Sequence, residues 1–138
     1  MKPLLAAFFL IENMGRYLNI EQLNANIRLG KSVEQWLGYT VEKDYTILKW
    51  LRIDKEKSGQ YSVAYIECFD DGDENFIDIY EFSTIDPDEL YGTINTFDSV
   101  EEVLHFAFDT YDALSDKFVS AGMIQEEYRD YLKNTFQP

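Results

Sequence analysis

Between residues 45 and 83 apolar and polar side chains alternate in three short runs, and clusters of turn-forming residues separate them. The pattern predicts three consecutive strands, over 45–54, 61–69 and 76–83. Lys55-Glu56-Lys57-Ser58-Gly59-Gln60 makes the first turn, and Asp70-Asp71-Gly72-Asp73-Glu74-Asn75 makes the second. With Phe69 opposite Phe76, Glu67 faces Asp78, Tyr65 faces Tyr80 and Val63 faces Phe82. A matching first hairpin adds Leu48, Trp50 and Arg52 to that aromatic face. The other face then holds Ile47, Leu51, Ile53, Ala64, Ile66, Cys68, Ile77 and Ile79, an aliphatic floor for helices. The division holds at that parity only, because a one-residue slip moves a whole strand's side chains to the opposite face. The aromatic face is either covered by the N-terminal segment or left open as a binding surface.

The flanking segments read as helix. Leu4, Leu5, Phe8, Phe9 and Ile11 approximate one helical face over 4–14, with Pro3 in the first turn and Gly15 as the stop; a strand over 7–11 fits the same short run. A short helix is expected over 32–38, with Ser32 as cap, Gln35 completing a capping box and Gly38 ending it. Asp86, Pro87, Glu89 and Gly92 have the spacing of a capped turn, so those carboxylates have a structural task. Residues 93–97 follow as a fourth, edge strand. Asp98 is expected to cap a long helix over 99–118, with an apolar stripe of Val100, Val103, Leu104, Ala107, Phe108, Tyr111, Leu114 and Phe118. Glu101, Glu102, Asp109, Asp112 and Asp116 lie opposite. After Gly122 a last helix carries Ile124, Tyr128, Tyr131 and Leu132. Together these elements predict one α+β domain over 1–138: an antiparallel three- to four-stranded meander packed with an N-terminal helix and two C-terminal helices.

Composition supplies the core for such a fold. The chain has 138 residues, 46% hydrophobic and 16% aromatic, and a chain of this length buries roughly two-thirds of its unfolded surface. Cys68 stands alone, so no intramolecular disulfide forms, which fits a reducing compartment. The apolar run at the start is too short to span a bilayer and is followed by Glu12-Asn13-Met14-Gly15, not by a small-residue cleavage site. A cytoplasmic protein is expected.

Charge changes the picture more. The net charge is −14, unevenly spread. Residues 1–60 carry nine Lys and Arg against seven Asp and Glu, whereas residues 61–138 carry three (Lys117, Arg129, Lys133) against nineteen. No Lys or Arg occurs from Ser58 through Asp116. A surface of that sign repels nucleic acid and anionic membranes and suits a basic partner; its plainer use is solubility.

Candidate chemistry is sparse. An EF-hand loop begun at Asp71 would place oxygen ligands at Asp71, Asp73 and Asn75, but it then needs Gly and Glu where Phe76 and Phe82 stand. A hydrated hairpin turn is the better reading of that segment. His105, the one histidine, lies a helical turn before Asp109 with no Ser, Cys or ligand cluster converging on it in sequence. Cys68 reads as a small buried apolar side chain. No GxSxG, HExxH, P-loop or GxGxxG is present. No enzyme activity, cofactor or metal site is expected.

Residues 61–82, two apolar runs around the acidic turn, and 96–104, where Thr96, Asp98 and Ser99 lead into an amphipathic helix, resemble the small acidic immunity proteins of bacterial contact-dependent inhibition and related polymorphic toxin systems. The likeness extends over roughly 45–135. It implies a cytosolic protein that binds one cognate toxin domain, often a nuclease, and covers its active site or an adjacent surface. On that expectation the contact residues are Asp70, Asp71, Asp73 and Glu74 of the turn, with Glu67 and Asp78 nearby. Two other readings fit the charge: a general acidic adaptor for a basic cellular protein, and a small metal-dependent hydrolase using the carboxylates.

Overall fold

A computed structural model describes residues 15–136; the helix or strand expected within 4–14 lies outside the described residues. Helix α1 (Ile20–Arg28) opens on a reciprocal capping box, in which Gln22 N–H donates to Asn19 Oδ1 (2.8 Å) and Asn19 N–H donates to Gln22 Oε1 (3.0 Å). No element is expected there from the pattern above. Strands β1 (Val33–Val41), β2 (Thr46–Lys55) and β3 (Tyr61–Phe69) follow, then a 3₁₀ turn (Ile79–Glu81) and β4 (Thr93–Phe97). Helix α2 (Val100–Tyr111), the two-residue β5 (Val119–Ser120) and helix α3 (Ile124–Phe136) complete the chain. The five strands form one antiparallel sheet in the order β4-β3-β2-β1-β5. The class is α+β, with one more strand than expected.

Several expectations are corrected. Residues 32–38 are strand, not helix: β1 pairs with β2 along its length, and the register shifts between Trp36 and Gly38. Gly38, at φ 126°, supplies the backbone of that bulge. The supposed capping groups serve other partners. The Ser32 hydroxyl donates to Asp54, and the buried Gln35 side chain pairs with the Leu114 backbone in both directions (2.7 and 2.8 Å). Val33, Trp36, Tyr39 and Thr40 prefer a pleated, half-buried surface, and here that preference outweighs the cap signal.

Second, residues 76–83 are not the third strand. Phe76 turns back on Asp73, and Ile79 and Phe82, three positions apart, are buried from around the 3₁₀ turn. Phe69 N–H donates to Ser83 O (2.9 Å) and Ile85 N–H donates to Glu67 O (3.0 Å), so 83–85 take the place that 76 was expected to fill. Glu67 therefore lies opposite Lys49 of β2 and is not paired with Asp78. Third, the parity of the first hairpin is shifted by one. Lys55 pairs with Tyr61, which leaves a five-residue loop and puts Leu48, Trp50 and Arg52 beside Cys68, Ile66 and Ala64.

Both faces are covered. On one, Val33, Leu51, Ile53 and Val63 pack against Leu23 and Ile27 of α1 and against Val100, Val103, Leu104 and Ala107 of α2. On the other, Leu48, Trp50 and Cys68 meet Ile79 and Phe82 of the crossing segment and Ile124, Tyr128 and Tyr131 of α3. Each fully buried Leu, Ile or Val contributes about 1.5–3 kcal/mol. Helix α2 is capped by Ser99, whose Oγ accepts from Glu102 N–H (3.1 Å), and not by Asp98. It ends at Tyr111, where Asp112 turns left-handed at φ 57°. Beyond it Leu114 is exposed, and Phe118 reaches the same core from a loop instead of from the helix. The α3 helix begins after Gly122 as expected.

Candidate interaction surface

Sixteen carboxylates and no Lys or Arg lie between residues 58 and 116. That span builds the β3–β4 end of the sheet, the segment crossing the second face, and α2, which packs on β3 and β4. Thirteen of the sixteen are exposed. The other three are Glu67, Asp70 and Asp78, all among the expected contact residues. Glu67 accepts from Tyr65 O–H (2.9 Å), and Asp78 from the Gln125 side-chain amide (3.4 Å). Asp70 accepts from the hydroxyls of Tyr128 and Tyr131 on α3. Asp71 is exposed but accepts from Ser83 N–H (2.8 Å), tying the turn to the crossing segment. Asp73 and Glu74 are exposed at the tip, and Asp73 accepts from Asn75 N–H (2.8 Å). The fold thus brings five of the six to one end of β3, around the turn and crossing segment, with Glu67 on the opposite face of the sheet. Arg129 and Lys133 of α3 line the same shallow depression as Asp73 and Glu74 and partly offset their field.

Where α3 stops covering the second face, a trough of about 370 Å³ remains over β2, β3 and β4. Trp50, Ala64 and Ile66 project into it from the sheet, and Ile79 and Phe82 of the crossing segment also line it. Leu90, Tyr91 and Ile94 line it too and are 66%, 78% and 53% exposed. Its polar part holds Arg52, Asp54, Glu56 and Ser62. Arg52 is already engaged: Nε donates to both Asp54 oxygens (3.1 Å each) and Nη1 to Glu34 Oε2 (3.1 Å). Ser62 O–H donates to Glu56 (2.5 Å).

Glu34 supports this arrangement from beneath. Its carboxylate is fully buried and fully satisfied, accepting from Arg52, from Tyr80 O–H, and from Gly122 N–H (2.9 Å) and Ile124 N–H (3.3 Å) at the start of α3. An anion at a helix N-terminus is favoured there by the helix dipole. One side chain therefore joins β1, β2, the 3₁₀ turn and α3. The helix assignment for 32–38 concealed it. Leu90 and Tyr91 carry a signal of their own in the sequence: an apolar pair between Pro87 and Gly92 with no periodic companions marks a surface.

Burial pushes the Cys68 thiol up to about 12, with Asp71 and Asp70 adding to the shift and the Trp50 indole opposing it. Such a thiol is unsuited to nucleophilic work. His105 and Asp109 form an exposed pair on α2 (2.9 Å). Among the described residues, no group of three or more His, Cys, Asp or Glu side chains is arranged to hold a metal ion, and no helix is long and apolar enough to cross a membrane. No family model, no curated protein and no solved structure matches the chain.

Proposed function

We propose that this chain is an immunity protein that acts in the cytoplasm by binding and neutralising one cognate bacterial toxin domain with a basic, nuclease-type surface. The observation that carries this reading is the cation-free span from Ser58 to Asp116, folded into one end of the sheet and its helix with thirteen exposed carboxylates. A nuclease must present positive surface to hold phosphates, so an acidic binder competes for the same field. Complementary fields raise association rates to about 10⁸–10⁹ M⁻¹s⁻¹ at low salt. An inhibitor that must intercept a toxin before it acts gains directly from that speed.

Co-expression tests the reading. Cells producing the toxin domain encoded beside this chain should survive when the chain is present and die when it is absent. Equal killing in both would remove the proposal. A general adaptor instead would bind several unrelated basic proteins with similar affinity and protect against none.

A further inference from the structure

Resting on that reading, we infer that the trough over β2–β4, and not the acidic turn, is where the basic partner anchors: it takes one or two apolar or aromatic side chains flanked by Arg or Lys. Three observations converge. The trough is open, and three of the large apolar side chains lining it, Leu90, Tyr91 and Ile94, are mostly exposed. A contiguous apolar rim within a strongly charged surface marks an interaction site, and Tyr is among the residues that dominate such contacts. Second, its lining suits side chains: Trp50, Ala64 and Ile66 form an apolar floor, and Leu90, Tyr91 and Ile94 an apolar rim, around a space of about 370 Å³.

The third observation is charge. Arg52, the one cation among the described residues that line the trough, is held by Asp54 and Glu34. Glu56 lines the polar part, and the exposed Glu81 lies between Tyr80 and Phe82, both of which line the trough. An apolar side chain entering here is accompanied most favourably by guanidinium or ammonium groups at the rim. The acidic turn lacks this combination, because Asp70 and Asp71 are committed internally and Arg129 and Lys133 stand beside the tip. Its part is steering before contact. Anchoring and steering then separate kinetically: truncating an anchor acts on dissociation, whereas neutralising a peripheral charge acts on association.

Binding kinetics with the purified toxin domain encoded beside this chain, measured on full-length variants, provide the test. Tyr91→Ala, at an exposed position, should leave the thermal midpoint unchanged and weaken binding by about 30-fold, the scale of an interface hot spot, mainly through faster dissociation. Ala64→Phe fills the trough from its floor and should weaken binding by about 100-fold or more. Asp73→Asn with Glu74→Gln should slow association by roughly 2–5-fold and leave dissociation unchanged. Wild-type binding with Tyr91→Ala and Ala64→Phe both within about twofold of it overturns the trough and leaves the immunity reading standing. Absence of wild-type binding overturns both.

Discussion

Tyrosine hydroxyls donate to carboxylates at five places: Tyr17 to Glu127, Tyr65 to Glu67, Tyr80 to Glu34, and Tyr128 and Tyr131 to Asp70. Glu34 and Glu127 also pair with Arg52 and Arg16, whereas Glu67 and Asp70 are met by hydroxyls; a neutral O–H satisfies the oxygen without a second desolvated charge. The tyrosines record the arrangement. Burial, and then the adjacent carboxylate, raises all five, with Tyr17 and Tyr131 reaching about 12. Raised folded-state values mean that this stabilisation is complete below the unfolded value near 10 and is lost as pH rises through about 12. Urea midpoints should accordingly fall steeply over that interval, and Tyr131→Phe should flatten the fall. An identical profile for that variant would contradict this assignment. Glu34 can be tested the same way. Glu34→Ala strands the Ile124 N–H, takes one of two acceptors from the Gly122 N–H and removes one of the two carboxylates paired with Arg52, so urea unfolding should show a loss of about 3 kcal/mol. A loss below about 1 kcal/mol would mean that the buried carboxylate is not the junction described.

The elements show which signals survive in a single sequence. Strand β3, edge strand β4 and helix α3 were legible because their alternation, or their 3.6-residue stripe, runs uninterrupted between clear turn residues. The errors have local causes. Ser32, Gln35 and Gly38 imitate a capped helix while the bulge at Leu37 interrupts β1's alternation, so a true strand loses its period-two signature. Residues 76–83 alternate convincingly, yet the core takes Ile79 and Phe82 at a spacing of three. Gly72 fixes this outcome. A Cβ there would lie 2.3 Å from Phe76 O, 2.4 Å from Phe82 Cζ and 2.8 Å from the Tyr128 hydroxyl oxygen. The acidic turn is thus pressed onto the crossing segment and α3. Gly72→Ala should cost about 1–3 kcal/mol through overpacking. A neutral substitution, read from the thermal midpoint, would show that the turn is loosely placed. The six expected contact residues were recognisable as carboxylates, but their sheltered partners, the tyrosines of α3 above all, come from distant positions in the chain.

At the scale of the molecule, the described residues expose large apolar side chains in both halves, Leu29 and Val41 as well as those of the trough, but the charge is segregated. Among the described residues the basic ones fall on α1, β2, α3 and the connections outside the 58–116 span, whereas the β3–β4 end and α2 carry acid alone apart from His105. Leu90, Tyr91 and Ile94 emerge inside that acidic end. A surface made only for solubility would intersperse both signs of charge. Concentrated charge around an apolar recess fits fast capture followed by slow release. The proposal that the acidic end meets a positively charged protein turns on the association rate constant with the proposed toxin partner, followed as ionic strength rises. It should fall by about 10–100-fold between ~10 mM and ~500 mM salt, as screening shortens the field. A rate that changes by less than about twofold across that range would contradict the claim.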